Sequence, residues 1–477
     1  MRAVKRNIVT MTSWAPDIRQ RKGPRYLAIA EALADDAGAG RLRPGTRLPT
    51  HRDLADRLGL TVGTVTRAYA EAARRNLVSG EVGRGTFVRG PATRFAAPLA
   101  AARAQEGLID LSANHPPRAP GDGEERALAR SLGALSRRKD LARLLDYPPE
   151  GGSRDHREAG AEWARRSGLD APADRVLVSS GSQHGMTAVF AALLVPGDLV
   201  LTEALTYSGM KTLAGLLSLR LQGVALDDEG LRPDALAAAC RARPPKALYC
   251  VPTLQNPTAS VMSDERRREI ADVAREHGVL IVEDDVHGRI PHRAPRPLSA
   301  FAPERAVYLT GTSKALAPGL RVGFIVAPEA LVGRIAAAIR GTTWMAAPLM
   351  AEIAAAWIKD GTAEAILRRK RSEAASRQRL VGQVIGRFVD RAQPTAYHVW
   401  LSLPRPWRGE AFAEAARRKG VGVTPASAFA VGRAGAPDAV RVCLGAARDR
   451  AELERGLRVL ADLLAASPEP APLPSGP

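Results

Sequence analysis

The sequence predicts an α/β protein of two folded parts. A small N-terminal helix-turn-helix with a β-hairpin precedes a large domain, built on a mainly parallel sheet with a smaller C-terminal α+β subdomain. Three observations predict this. The 477 residues are more than one ordinary core encloses. From Val176 onward, short apolar runs alternate with helix-period stretches, the pattern of parallel strands joined by crossover helices. Three helical segments and two glycine-flanked β runs occupy the start of the chain. With 45% hydrophobic and 25% charged residues, the composition is that of a globular protein.

Residues 1–23 are expected to be a flexible start to a domain spanning 24–89. Tyr26, Leu27, Ile29, Ala30 and Leu33 recur at helical spacing and give the first helix. Leu42 to Pro49, with Pro44 and Pro49 fixing the backbone, reads as a turn. A second helix is expected from Thr50 to Leu58, ended by Gly59; Thr61 then N-caps a third helix running to Arg75. Strands at 77–80 and 85–88 flank Glu81-Val82-Gly83-Arg84 as a hairpin.

Helix-turn-helix geometry lays the second helix across a DNA backbone and sends the third into the major groove N-terminus first. Arg52 is then a candidate phosphate contact. Thr61, Thr64 and Arg67 are candidates for base edges or phosphates, and Arg84 for the adjacent groove. Residues 1–90 carry 17 Lys and Arg against 8 Asp and Glu, and the whole chain has a net charge of +19. That balance suits a polyanionic partner such as double-stranded DNA, although a generally basic surface gives the same number.

Residues 90–107, with Pro91, Pro98 and an alanine-rich run, are expected to be an exposed linker to a large domain over 108–465. Val176–Ser179, Leu199–Thr202, Ala247–Val251, Val279–Val282, Val307–Thr310 and Val322–Val326 are its strand candidates, with helices between most of them. From Ala330 the pattern is mainly helical, with a later strand pair at Ala396–Leu403 and Val440–Leu444. Residues 466–477 are proline-rich and expected to be disordered. Cys240, Cys250 and Cys443 are widely spaced and odd in number, reading as small buried residues; no metal site is expected. Without an apolar leader or a membrane-length apolar stretch, the expected location is cytoplasmic, with no membrane partner.

The large domain offers the parts of a pyridoxal 5'-phosphate (PLP) site. Such a site needs a lysine for a Schiff base, a carboxylate at the pyridine nitrogen, phosphate donors, a polar group at the ring oxygen and a flat side chain over the ring. Lys314, one of only nine lysines, follows an apolar strand in Thr310-Gly311-Thr312-Ser313-Lys314. Ser313 and Arg321 flank it as phosphate donors. Asp284 closes the strand before His287 and is the candidate carboxylate. Gly181-Ser182-Gln183 opens a helix, where free N–H groups and the helix dipole favour a phosphate. Asn256, in a proline-fixed turn, is placed to reach the ring oxygen, and Tyr207 to stack on the ring. Each alone has an ordinary structural explanation: a surface lysine, a helix-capping aspartate, a packed tyrosine.

Two resemblances combine these parts. Leu48-Pro49-Thr50-His51-Arg52-Asp53-Leu54-Ala55, Thr64-Val65-Thr66-Arg67-Ala68-Tyr69 and Gly83-Arg84-Gly85-Thr86-Phe87-Val88 resemble the second helix, recognition helix and wing of the GntR family's winged-helix domain. Val62 stands where many members carry a polar or basic residue. The order of motifs from 108 to 465 resembles fold-type I PLP enzymes of the class I/II aminotransferase kind. That resemblance implies that Asn256 and Asp284 hold the ring, Tyr207 stacks on it, and Ser313 and Arg321 hold its phosphate. It also implies that Tyr147, in Tyr147-Pro148-Pro149-Glu150-Gly151-Gly152, reaches the cofactor phosphate of a second subunit, and that Arg441 binds an α-carboxylate. His287 stands where relatives usually have tyrosine, Ala259 where glycine is common, and Gly311 in place of a frequent serine, removing one phosphate donor.

A winged helix followed by an aminotransferase-like domain is the layout of the MocR subfamily of transcriptional regulators. This resemblance implies a homodimer with PLP on Lys314, sensing PLP or an amino compound and binding DNA. The alternative is a working PLP-dependent aminotransferase acting on an amino acid, since every group for half a transamination is present.

Overall fold

The computed structural model describes residues 14–18, 21, 23–38, 41–42, 45–74, 77–81, 85–88, 107–390, 393–432 and 435–466. The chain divides into two compact units, Met1–Ala97 and Pro98–Pro477. Arg84, the stretch 89–106 that holds most of the expected linker, and the tail from 467 onward lie outside the described residues.

The small unit is built from α1 (Arg25–Gly38), α2 (His51–Leu58), α3 (Val62–Arg74), β1 (Val78–Glu81) and β2 (Gly85–Val88). Thr50 caps α2 by accepting the Asp53 N–H at 3.2 Å, and Gly59 ends that helix in the left-handed region at φ 63°. Thr61 accepts the Thr64 N–H at 3.3 Å and so caps α3. The three helices bury Ile29, Leu33, Leu54, Val65, Ala68 and Ala72 against Val78 and Val88 of the hairpin. Buried Tyr69 ties α3 to the turn before α2 by donating to the Pro49 carbonyl at 2.9 Å.

Two findings go beyond the sequence reading. The segment expected to be only a turn pairs with the hairpin: the Gly45 N–H donates to Val88 O, Val88 N–H to Thr46 O and Leu48 N–H to Thr86 O, each at 2.8 Å. The free edge of β2 is thereby covered. Part of the stretch expected to be flexible is packed. Ile18 is 7% exposed within the core of the small unit, and Trp14 packs against that core while its Nε1 donates to Asp36 at 2.7 Å.

The large unit centres on a seven-stranded sheet. In chain order its strands are β3 (Val176–Ser179), β4 (Leu199–Glu203), β5 (Arg220–Val224), β6 (Ala247–Cys250), β7 (Leu280–Asp284), β8 (Ala306–Gly311) and β9 (Gly323–Val326). Their spatial order is β3-β9-β8-β7-β6-β4-β5, and only β9 pairs antiparallel to its neighbours. Strand alternation feeds two cores: Val178 and Phe324 face Trp163 and Trp357 on one side, while Leu177 and Ile325 face Phe190 and Ile339 on the other. Edge strand β5 escaped the sequence reading, since Arg220-Leu221-Gln222-Gly223-Val224 lacks the continuous apolar character of the inner strands.

A second sheet follows the long helix Thr362–Val384. Its order is β10 (His398–Ser402), β12 (Ala439–Cys443), β11 (Thr424–Pro425), all antiparallel, packed on helices Gly409–Arg418 and Arg450–Ala465.

Candidate functional site

Topology places the site. Strands β4, β6, β7 and β8 run parallel, and two antiparallel steps through β9 return β3 to the same direction. Gly181, Tyr207, Asn256, Asp284 and Lys314 therefore all emerge at one edge of the sheet, just past or at the carboxyl ends of five strands. Arg321, immediately before β9, joins them from the other direction.

At the first strand end, Gly181 caps helix Ser182–Leu193 at φ 87°. A Cβ there would lie 2.5 Å from Arg321 Nη2, so the guanidinium sits directly on this glycine. Arg321 donates to Ser313 Oγ and to Ser180 O, both at 3.3 Å. Ser182 Oγ is turned away, donating to Thr310 O at 3.1 Å. A Cβ at Gly311 would lie 2.6 Å from Ser182 Oγ and 3.0 Å from Val322 O, so a side chain there would require Ser182 to turn aside.

Deeper in the site, Tyr249 donates to Asp284 Oδ2 at 2.7 Å. Burial raises the Asp284 carboxyl above its usual range, and this hydrogen bond works against that rise. Lys314 Nζ donates to the Asn114 carbonyl. Burial pushes its pKa down to about 8, and the Arg441 guanidinium adds to the depression. Tyr207 donates to Gln183 Oε1 at 3.1 Å, and burial raises its phenol.

Arg441, on β12, reaches across from the second sheet. It donates to Asn256 Oδ1 and to Ser112 O, each at 2.6 Å, and its guanidinium lies 4.7 Å from the Phe429 ring centroid. Its Nε has no partner, and among the described residues no carboxylate pairs with it. Buried His287 has both ring nitrogens unpartnered, and its ring centroid lies 6.0 Å from that of His398. Burial holds His287 well below the usual imidazole range, with Lys314 adding to the effect. His398 is pushed down to about 3 by burial and sits 3.0 Å from Gln255 O. Both rings are neutral at physiological pH. Asn114, Tyr249 and His398 escaped the sequence reading: the last two lie inside apolar strands and Asn114 in an irregular segment.

This edge fits PLP. It offers a neutralisable lysine, a buried carboxylate and an arginine over a helix-capping glycine. It also holds orphaned buried polar atoms: both His287 nitrogens, Arg441 Nε and Asn114 Oδ1. Tyr147 is 73% exposed, with its ring 5.4 Å from that of exposed Trp344. Ala259, where glycine is common, occupies the left-handed region at φ 59°, the conformation that glycine would adopt without strain.

In the small unit, Arg52 and Arg67 are exposed, and Arg67 stacks 4.6 Å from the Tyr26 ring centroid. Thr61 Oγ1 and Thr64 Oγ1 are 2.9 Å apart. Among the described residues no group of three or more His, Cys, Asp or Glu could hold a metal ion, and no helix is long and apolar enough to cross a membrane.

The fold and its sheet-edge site define an aminotransferase-type domain joined to a helix-turn-helix unit. Comparison with known proteins agrees. The family "Bacterial regulatory proteins, gntR family" matches residues 25–88, and "Aminotransferase class I and II" matches residues 106–460. The HTH-type transcriptional regulator YdeF of Bacillus subtilis is 33% identical over 95% of this chain and 97% of its own length. LysN, the alpha-aminoadipate aminotransferase of Thermus thermophilus, solved with N-(5'-phosphopyridoxyl)-L-leucine, is 26% identical with a TM-score of 0.68, over 78% of this chain and 95% of that one. Pyrococcus horikoshii kynurenine aminotransferase, solved in complex with PMP, shares the fold at 24% identity and a TM-score of 0.70, over 77% and 93% of the two chains. The chain belongs to the MocR-like regulators, a GntR-type helix-turn-helix fused to an aminotransferase class I and II domain of a PLP-dependent fold.

Proposed function

We propose that this regulator holds PLP on Lys314 and changes its DNA binding when PLP, or an amino compound that carries a carboxylate, occupies the large unit. The observation that carries this reading is the meeting of Lys314, Asp284, Asn256 and Arg441 at one sheet edge, in a chain that also bears a helix-turn-helix. When bound, PLP supplies a covalent anchor for an amine and an electron-withdrawing ring. Lys314, with its pKa near 8, presents a partly neutral amine at physiological pH. Asp284, held by Tyr249, offers its carboxylate to the pyridine nitrogen. Gly181, Ser182, Gln183, Ser313 and Arg321 frame the phosphate end, and Tyr207 faces the ring. His287 donates toward the ring oxygen in place of a tyrosine. Arg441, a buried cation with no carboxylate of its own, takes the carboxylate of the amino compound. Arg52, Thr61, Thr64, Arg67 and Arg84 contact DNA, and the linker over 90–107 transmits the change.

The regulator proposed here is a cytoplasmic homodimer in which Tyr147 serves the second copy's phosphate; exposed Tyr147, Trp344 and Leu145 support the pairing of two copies. A ligand that prefers one dimer arrangement then shifts the spacing of the two DNA-binding units. Catalysis is the second reading, favoured by the depressed Lys314 and the unpaired Arg441.

A titration on DNA upstream of the gene and its neighbours, with and without PLP at two salt concentrations, tests the proposal. Binding tighter than to scrambled DNA, and altered by PLP, is expected. Equal, wholly salt-suppressed binding to both DNAs would remove the regulatory reading. Steady turnover of amino and oxo acids near about 1 per second would favour the enzyme.

A further inference from the structure

We propose that Val62 reads thymine, its isopropyl group resting on the C5-methyl of a base in the major groove. The inference rests on the DNA-binding reading of the small unit and names what that unit reads.

The sequence alone points to the hydroxyls of Thr61 and Thr64 and to Arg67 as readers. In the folded unit these groups are engaged. Thr61 Oγ1 and Thr64 Oγ1 bond to each other at 2.9 Å, and Thr61 Oγ1 also accepts the Thr64 N–H. The neighbouring hydroxyl on the solvent face, Thr66 Oγ1, donates to Val62 O at 2.9 Å and lies 3.1 Å from His51 Nδ1. The Arg67 guanidinium lies over the Tyr26 ring, 4.6 Å from its centroid. Each already holds a contact within the unit, which orients it, although the spare hydroxyl proton of the Thr61–Thr64 pair and the Arg67 N–H groups stay available to DNA.

Val62 gives up nothing. It is the first residue of α3, the end that enters the groove first, and it is 45% exposed, the one large apolar side chain so exposed in the small unit among the described residues. Gly63 beside it has no side chain, and a Cβ there would meet only Thr61 Oγ1, at 3.9 Å, so the backbone at this point can approach the groove floor closely. An uncharged, branched side chain cannot satisfy the acceptors of guanine, whereas thymine presents a methyl group on the major-groove edge. Bringing the two together removes both from water, and one methyl group so buried changes affinity about fourfold.

The test uses the full-length protein loaded with PLP. A site is first selected from random duplexes, then resynthesised with deoxyuridine replacing each thymidine in turn, which deletes the methyl and leaves every hydrogen-bonding group in place. The expected result is one position per half-site where deoxyuridine weakens binding about fourfold, a penalty absent in Val62→Ala and retained in part in Val62→Thr. Val62 lies outside the core, so both variants fold; their thermal midpoints confirm it. Uniform tolerance of deoxyuridine overturns the proposal, as does a penalty that persists unchanged in Val62→Ala. Failure to enrich any sequence overturns the DNA-binding reading itself, a separate outcome.

Discussion

Lys314 provides the sharpest quantitative test. Its pKa is pushed from 10.5 down to about 8, first by burial and further by Arg441. An ordinary lysine is about 0.03% neutral at pH 7 and Lys314 about 10%, a gain of roughly 300-fold in reactive amine. Growth of the visible cofactor band after mixing PLP with PLP-free protein follows that neutral fraction. Stopped-flow rates, divided by those of a simple amine of ordinary pKa after correction to its own neutral fraction, remove the cofactor's own titration. The corrected rate is expected to rise about fiftyfold from pH 6 to 8 and only about twofold from pH 8 to 10. An unshifted lysine would still gain about 75-fold in that second interval. A continued climb of tens-fold above pH 8 would refute the assignment of a buried, electrostatically depressed amine. A visible band in Lys314→Ala would refute the choice of residue.

Three further outcomes are expected. In Arg441→Met, loss of the bonds to Asn256 and Ser112 is offset by removal of a buried unpaired cation, so stability without ligand changes by less than about 2 kcal/mol. The same variant weakens carboxylate-bearing amines at least about 30-fold in spectral titrations, and unchanged midpoints would sink the assignment. Asp284→Asn removes a carboxyl whose pKa burial has raised; such a group opposes folding above its unfolded pKa. The thermal midpoint of the PLP-free variant therefore rises at neutral pH while the gain from added PLP shrinks, and an undiminished gain contradicts the role. Tyr69→Phe leaves the Pro49 carbonyl without its 2.9 Å donor and costs the small unit about 1–2 kcal/mol in chemical denaturation. PLP uptake by the large unit is the unaffected control, and a shift there would show that the tyrosine acts elsewhere.

Much of the fold was legible because buried parallel strands carry an unambiguous mark. Six of the seven central strands contain an unbroken apolar run of at least three residues, and the residues at or just past their ends stood out by chemistry, Asp284 and Lys314 most clearly. Arg220–Val224 lacked that mark because it is only partly buried, from exposed Arg220 to buried Val224, whereas Val176–Ser179 at the opposite edge is buried throughout. The helix-turn-helix was legible for a local reason: Thr50, Gly59 and Thr61 act on backbone groups within a few residues. Arg84 and the linker fall outside what the structure describes.

By itself, then, the sequence determined the order of elements, the helix boundaries set by local caps, and the strand ends at which reactive side chains stand. Tertiary structure decided which groups are free to act. Lys314 meets Asn114 and Arg441 meets Ser112, contacts that span 200 and 329 residues and leave no local trace. The depressed lysine, the neutral histidines and the unpaired arginine arise from burial and from neighbours brought in by the sheet. The same holds on α3, where Tyr26 of α1 takes the Arg67 guanidinium and Val62 is left outward. Propensity and capping act over a few residues, whereas desolvation and hydrogen-bond satisfaction depend on every element that closes around a group.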